Sequence, residues 1–231
     1  MFRINESIWR RRKIEFWQRL WEDLEIGYLD EDLMPILILF YTDKKIHTLS
    51  SCSGRIIVAD STFPWSREET SVVYKKHSPI SVDEVEDILG YSPVRRLWLN
   101  VTGPIIHVST SDMSTAEKVL VIARNSGMKH SGILSLSENK GIVLELTTGV
   151  KLTHLLRTPG TLITDLSKLD RLIEIANQVL LEGKKILCRL YETLRKYIPF
   201  IPDDEIISDL RDRGLSLEKL SPPNYCRELL L

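Results

Sequence analysis

The hydrophobic pattern of this chain changes twice, and these changes constrain its fold more than any other feature. Before residue 45 and after residue 160, apolar residues recur at intervals of three and four, a spacing that predicts amphipathic helices. Between these segments lie short runs rich in Ile, Val and Thr, bounded by Ser, Gly and Pro, which predict strands. We therefore expect an α+β fold with central antiparallel or mixed β-sheets, packed helices, and further helices at both ends of the chain.

The length of 231 residues fits one large domain or two small ones, and we predict a single α+β domain over residues 1–231. Residues 1–45 form its helical lead-in, and residues 46–160 form a β-rich core that we expect to carry the catalytic residues. Residues 161–231 form the C-terminal helices and a tail.

Capping residues predict where three of the helices begin. Asp30, Ser81 and Ser114 each precede a segment with helical spacing, and a side-chain oxygen at such a position accepts from the free N–H groups of the first turn. Gly127 is expected to end the helix that Ser114 begins, because glycine readily takes the left-handed conformation there. The apolar face of the first helix makes Trp17 a predicted core residue.

Two segments of the predicted β region resemble each other. Residues 49–58 and residues 136–143 each combine a strand pattern, a turn containing Ser and Gly, and a second strand pattern. This similarity predicts two β-hairpins and leaves two interpretations open, a duplicated β-hairpin-plus-helix unit and a coincidence of hairpin composition.

Missing motifs exclude several function classes. No two of the eleven glycines are spaced as Gly-x-Gly, so the dinucleotide fingerprint and the glycine loop of Rossmann-type methyltransferases are absent. Gly127 and Gly132 have the spacing of P-loop glycines, but Ile133 stands where that loop requires lysine. The five histidines are widely separated in sequence without a helix-face pair, and we predict no metal site.

The cysteines and the lengths of the apolar runs indicate the cellular environment in which the protein works. Cys52, Cys188 and Cys226 are odd in number and far apart, which argues against a disulfide framework and a structural zinc site. The apolar runs are shorter than a membrane span requires, so we expect no membrane partner. The charged N-terminus lacks the apolar region of a signal peptide, and a cytoplasmic location is expected.

The charge balance does not by itself indicate a nucleic-acid binder. The chain has 31 Lys and Arg against 32 Asp and Glu, a net charge of −1, whereas nucleic-acid-binding domains are typically strongly basic. Basic residues are nevertheless grouped, most densely at residues 10–13. Solvated surface is the ordinary interpretation of such groups, and a local basic face for RNA stays open.

A polar segment between the first two predicted strands is the strongest chemical signal. The run from Ser50 to Arg55 contains three serines, a cysteine, a glycine and an arginine. Turns of this composition present backbone N–H groups and hydroxyls to an anion, and a guanidinium binds a carboxylate or phosphate through two hydrogen bonds. We predict an anion-binding turn here. An ordinary serine-rich hairpin with an exposed arginine is the alternative.

The run Ser50-Ser51-Cys52-Ser53-Gly54-Arg55-Ile56 closely resembles the signature of the tRNA wybutosine-synthesizing protein 3 family. Weaker similarities to the family lie at residues 27–37, 97–108, 116–133 and 141–146. Together they cover roughly residues 25–160, in order and without large gaps.

The resemblance implies an enzyme that methylates N4 of a 4-demethylwyosine-type tricyclic base on the 3′ side of the anticodon in tRNA-Phe. It implies S-adenosylmethionine as the methyl donor, the tRNA-Phe anticodon arm as partner, and a fold that is not of the Rossmann type. Three alternatives stay open: a modification enzyme that acts on another base, a non-catalytic tRNA- or RNA-binding module, and a small-molecule enzyme that uses the turn to bind a carboxylate.

Under this hypothesis individual residues receive roles. His107 is the predicted proton acceptor, because histidine exchanges protons near neutral pH; a structural histidine in the sheet is the alternative. Ser51, Ser53, Gly54 and Arg55 are predicted to hold the carboxylate of the donor, or else an RNA phosphate. The predicted substrate contacts are Ser50, Cys52, Trp98, Ser131 and Gly132. Trp98 would stack on the tricyclic base, and the alternative is that it fills the core.

Overall fold

Antiparallel strands and two helices occupy the middle of the chain, and the other helices lie towards its two ends, as the sequence patterns predict. The computed structural model describes residues 3–66 and 68–229. The α-helices in that range are α1 (Glu6–Glu25), α2 (Met34–Tyr41), α3 (Val82–Leu89), α4 (Met113–Asn125), α5 (Leu169–Tyr197), α6 (Asp204–Asp212) and α7 (Cys226–Leu229). The strands are β1 (Ile46–Cys52), β2 (Arg55–Asp60), β3 (Ser71–Lys76), β4 (Leu97–Thr102), β5 (Ile105–Thr110), β6 (Gly132–Ser137), β7 (Gly141–Thr147), β8 (Lys151–Thr158) and β9 (Thr161–Leu162). The fold is α+β and not of the Rossmann type.

Internal contacts group the chain into two compact units, each with its own sheet. Unit 1 comprises the chain up to Ser53, Pro104–Gly149, and the chain from Lys185 onwards. Unit 2 comprises Gly54–Gly103 and Val150–Lys184. Helix α5 contributes residues to both units. The description of the chain as a single domain stays a prediction.

In unit 1 a four-stranded antiparallel sheet has the strand order β1-β5-β7-β6. Helices α1 and α2 contact β1, and α4 contacts β7. Helix α1 buries Trp9, Lys13, Trp17 and Leu20, whose spacing places them on one face of the helix. Trp17 is 3% exposed, so its assignment to the core is confirmed.

Helix α2 is almost entirely apolar, and the packing of unit 1 explains this composition. Seven of its eight residues are buried. A membrane-spanning helix needs about 20 apolar residues. Among the described residues, no helix combines the length and the apolar character needed to cross a membrane.

A buried ion pair joins α1 to the C-terminal part of unit 1. The Lys13 side chain is fully buried, with Nζ 2.7 Å from Asp203 Oδ2, and it also donates to the Asp43 carbonyl. Arg10 forms a salt bridge with the same Asp203 carboxylate. Burial lowers the pKa of Lys13 to about 8, although Asp203 opposes this shift. The interpretation of residues 10–13 as solvated surface is therefore wrong for Arg10 and Lys13, because both have structural partners.

Unit 2 contains a five-stranded antiparallel sheet in the order β3-β2-β4-β8-β9. Its apolar core combines strand residues with residues of α3 and α5. The buried members are Ile56, Val58, Ile80, Val85, Leu89, Leu97, Leu99, Val101, Leu156, Leu169, Ile173, Ala176 and Leu180. On β4 the alternate residues Leu97, Leu99 and Val101 point into this core, as the two-residue period of a strand requires.

The first predicted β-hairpin does not form. Strand β1 pairs with β5 in unit 1, whereas β2 pairs with β3 and β4 in unit 2. Between them Gly54 has a φ of +92°, a left-handed conformation that glycine adopts without strain. The second segment is a hairpin of β6 and β7. The duplicated hairpin unit is therefore wrong at its first member, because similar turn composition does not specify which strands pair.

The predicted helix caps differ from the structure at two of three positions. Ser81 caps α3 and takes part in a capping box, as predicted. Helix α4 is capped by Asp112, not by Ser114, because the Asp112 carboxylate accepts from the first turn. Asp30 makes no capping bond, and its carboxylate instead accepts from the Ser53 N–H. These differences arise because a cap depends on backbone geometry as well as residue type.

A disulfide joins Cys188 in α5 to Cys226 in α7. The expectation of no disulfide is therefore wrong for this pair. Although the two cysteines are 38 positions apart in the sequence, the fold of unit 1 brings their Cα atoms to 5.5 Å, within the range that a disulfide spans. The predicted irregular tail likewise contains the short helix α7, in which Cys226 is buried.

Candidate active site

A β-bulge in β1 places the Ser50 hydroxyl beside His107. Thr48 lies opposite Val108 and Ser51 lies opposite Ile106, so two residues of β1 face His107 alone on β5. A bulge of this kind bends its strand and redirects a side chain. Ser50 Oγ lies 2.8 Å from His107 Nδ1.

Glu145 completes a row of three polar side chains on neighbouring strands of unit 1. It stands opposite His107 in the pairing of β5 with β7, and its Oε2 lies 3.2 Å from His107 Nε2. The His107 side chain is 22% exposed and that of Glu145 is 36% exposed, while Ser50 is exposed. The row therefore has access to solvent.

The partners of His107 determine which ring nitrogen carries the proton. An ionised carboxylate only accepts hydrogen bonds, so the Glu145 contact assigns the proton of the neutral ring to Nε2. Nδ1 then offers its lone pair to the Ser50 hydroxyl, which donates to it. A hydroxyl, an imidazole and a carboxylate in this order can take up a proton at Nδ1 through the serine.

The residues of the predicted anion-binding turn lie partly at the end of β1 and partly in the connection from β1 to β2. Ser51 and Cys52 are the last residues of β1, opposite Ile106 and Ile105. Ser53 is fully buried, and its N–H lies 2.8 Å from the Asp30 carboxylate. This N–H group therefore already has an anionic partner within the chain.

Gly54 and Arg55 belong to unit 2, where Arg55 begins β2. The Arg55 residue is exposed, so its guanidinium can bind a carboxylate or phosphate from solution. The donor-binding roles of Ser51, Ser53, Gly54 and Arg55 stay predictions, and of these four only Arg55 is exposed.

Three other predicted substrate contacts have structural surroundings of their own. The buried Ser131 hydroxyl donates to the Met128 carbonyl at 2.6 Å and accepts from the Thr147 N–H at 3.0 Å. Gly132 begins β6 and has open space where a side chain would stand. Trp98 in unit 2 is half-buried. The substrate-binding roles of Ser131, Gly132 and Trp98, like those of Ser50 and Cys52, stay predictions.

A family model described as Methyltransferase TYW3 matches residues 11–196. The chain belongs to the TYW3 methyltransferase family. The resemblance found in the run from Ser50 to Ile56 is thereby confirmed, and the match extends beyond the roughly 25–160 predicted from the motifs, into α1 and along α5.

Relatives from archaea agree with this membership of the TYW3 family. A protein of Saccharolobus solfataricus is 40% identical over 188 residues, which are 81% of this chain and 90% of the relative. One of Aeropyrum pernix is 38% identical over 167 residues, 71% of this chain and 87% of the relative. Both are named tRNA(Phe) 7-((3-amino-3-carboxypropyl)-4-demethylwyosine(37)-N(4))-methyltransferase.

Solved structures share the fold of this TYW3 family member. The PH1069 protein of Pyrococcus horikoshii superposes with a TM-score of 0.76 at 31% sequence identity, over 82% of this chain and 97% of that one. A protein of Aeropyrum pernix superposes with a TM-score of 0.66 at 34% identity, over 73% of this chain and 99% of that one. The predicted α+β, non-Rossmann class is confirmed.

Two residues that sequence reasoning did not assign to the site have contacts there. Glu145 is the only charged residue within the apolar run of β7, and that isolation was the available signal. The sequence predicts Asp30 to be a helix cap, and nothing in the local sequence indicates its bond to the Ser53 N–H, 23 residues away. Register and tertiary folding create both contacts.

Proposed function

We propose that this TYW3 family protein methylates N4 of a 4-demethylwyosine-type base on the 3′ side of the anticodon in tRNA-Phe, with S-adenosylmethionine as the methyl donor. The observation that carries the chemical part is the row of Ser50, His107 and Glu145, which offers a proton acceptor at the surface of unit 1. The names of the two archaeal relatives support the substrate.

The proton is the part of the reaction that the chain's own residues handle. When bound, S-adenosylmethionine supplies an electrophilic methyl group, whose C–S bond breaks as the new N–C bond forms. The base nitrogen gives up its proton, which passes to His107 Nδ1 through the Ser50 hydroxyl. Glu145 then stabilises the imidazolium by accepting from Nε2–H.

Among the residues proposed to hold the donor, Arg55 is the one whose charge can bind an anion. The donor carries a carboxylate on its methionine part, and the exposed Arg55 guanidinium can bind it bidentately. The Ser53 N–H binds the Asp30 carboxylate, which holds the backbone at Ser53 in place, and Ser51, Ser53 and Gly54 stay proposed donor contacts together with Arg55. We place no further donor contacts.

The anticodon arm is the proposed partner, because the target base lies beside the anticodon and a local contact is compatible with a net charge of −1. A tRNA substrate also favours the proposed cytoplasmic location. Membership of a methyltransferase family favours an enzyme over a non-catalytic RNA-binding module.

One incubation tests the proposal. The protein is mixed with isotopically methyl-labelled S-adenosylmethionine and with tRNA from cells that lack this protein, and the nucleosides are then analysed by mass spectrometry. We expect one labelled methyl group on N4 of the tricyclic base of tRNA-Phe. Transfer to a different base would replace the proposed substrate, and no transfer to any tRNA would contradict the function.

A further inference from the structure

A loop of unit 2 holds two aromatic side chains in solvent. Trp65 is 71% exposed and Phe63 is 44% exposed, and both lie between β2 and β3. Their rings are stacked, with centroids 5.1 Å apart and planes 5° from parallel. Removing large aromatic side chains from water is energetically favourable, so an exposed stacked pair indicates a binding surface.

Hydrogen bonds hold the backbone of residues 61–66 in place. Pro64 stands between the two aromatic residues, and the Ser66 N–H donates to the Phe63 carbonyl at 3.0 Å, which closes a β-turn with proline at its second position. The Ser61 hydroxyl donates to the same carbonyl at 2.9 Å. Trp98 Nε1 in turn donates to the Ser61 carbonyl at 3.2 Å. A surface ordered in advance loses little conformational entropy on binding.

A cation accompanies the two rings. The Arg96 guanidinium lies over Phe63, 5.2 Å from the ring centroid, and its Nη1 donates to the Thr62 carbonyl at 2.6 Å. A guanidinium has five N–H donors, so further donors are available to an anion. An unpaired nucleotide matches this chemistry, because its base stacks on aromatic faces and its phosphate pairs with arginine.

We propose that Phe63, Trp65 and Arg96 form a stacking platform for an unpaired nucleotide of the RNA substrate. The base stacks on the exposed face of Trp65, and Arg96 pairs with a neighbouring phosphate. The inference rests on the proposed function in taking the RNA to be tRNA-Phe. It adds a contact separate from Trp98, whose indole N–H is bound inside the loop.

Affinity for RNA tests the platform. The wild type and its variants are titrated against a fluorescent, unmodified transcript of the tRNA-Phe anticodon arm. We expect Trp65→Ala to raise the Kd about tenfold, as for the loss of one stacked base, and Trp65→Phe to recover most of the affinity. Tyr28→Ala removes an aromatic side chain that is 76% exposed in unit 1, and we expect it to leave the Kd unchanged.

Two further measurements identify the bound chemistry. Arg96→Gln is expected to lower the slope of log Kd against log salt concentration by about one, the loss of one phosphate contact. With 2-aminopurine placed in turn at each unpaired position, the wild type is expected to quench one position strongly and Trp65→Ala to lose that quenching. Circular dichroism confirms that each variant is folded.

Unchanged affinity in Trp65→Ala, or an equal loss in Tyr28→Ala, would overturn the platform. Binding to anionic phospholipid vesicles that depends on Trp65, with RNA affinity independent of it, would assign the rings to a lipid surface and also overturn it. The proposed function fails separately. Affinity that depends on Trp65 without methyl transfer contradicts the function alone, and methyl transfer with affinity independent of Trp65 contradicts the platform alone.

Discussion

The two units of this protein place their reactive and aromatic groups differently. Unit 1 has titratable groups both on its sheet, in the row of Ser50, His107 and Glu145, and in its interior, in the pair of Lys13 and Asp203. Unit 2 is built around an apolar cluster and holds stacked rings in solvent. The proposed proton acceptor therefore lies in unit 1, and the proposed RNA contact lies in unit 2.

The largest expected effect tests whether proton transfer belongs to unit 1. His107→Ala should lower kcat for methyl transfer by about 10²- to 10⁴-fold, because a positioned general base contributes rate factors of that size, while tRNA affinity changes little. His154→Ala is the matched control, since His154 lies on β8 of unit 2 and contacts Thr164. Single-turnover rates and RNA titrations measure the two quantities. An equal loss of rate and affinity would make His107 a structural residue.

The buried ion pair gives the largest expected change in stability. Asp203→Ala leaves the Lys13 ammonium buried without its carboxylate, and the free energy of unfolding should fall by about 3–5 kcal/mol. The double variant Lys13→Met with Asp203→Leu should recover most of this loss, because no buried charge is left unpaired and Arg10 keeps its salt bridge with Glu205. Urea unfolding at pH 7 measures both. A double variant no more stable than Asp203→Ala would contradict the electrostatic explanation.

Unit 2 offers the contrasting case, in which only packing is lost. Leu99→Ala removes a fully buried side chain from the apolar cluster and should cost about 2–5 kcal/mol of unfolding free energy. The cost should be insensitive to salt and pH, since no charge is involved. Val94→Ala, at an exposed position of the same unit, is the control. A comparable loss in Val94→Ala would disprove the location of the core.

A smaller effect tests the orientation of the imidazole. Glu145→Gln replaces the carboxylate with an amide that no longer stabilises the imidazolium, and kcat should fall about tenfold, which corresponds to about 1.4 kcal/mol for a charge-assisted hydrogen bond. Single-turnover rates measure the change, and an unchanged kcat would show that Glu145 does not assist His107. Glu138→Gln, on the same sheet's β6–β7 turn, is the control.

The smallest effect concerns stability in mild acid. His47 is fully buried in unit 1 between the Trp9 and Phe16 rings, and burial holds its pKa well below 6.5. The unfolded chain therefore binds a proton that the folded chain does not, so the unfolding free energy should fall by about 1 kcal/mol as the pH drops from 7.5 to 5.5. His47→Phe should reduce this slope, whereas an unchanged slope would locate the titration elsewhere.

Local sequence patterns predicted the helices and strands better than they predicted which strands pair with each other. The capped helix after Ser81 and the hairpin around residues 136–143 follow from neighbouring residues alone, and the structure confirms both. The similar run at residues 49–58 was expected to be a hairpin too, yet its strands enter different sheets. Strand pairing depends on partners far along the chain, which a short window does not contain.

Local residue patterns are sufficient to predict the order of helices and strands, the family signature at residues 50–56, and the candidacy of His107. The folded chain was needed to show that Glu145 stands opposite His107, that a bulge turns Ser50 towards it, and that Cys188 meets Cys226. The two kinds of information differ in their range along the chain. Periodicity and capping act between residues a few positions apart, whereas register, bulges and side-chain contacts join residues that the folded backbone alone brings together.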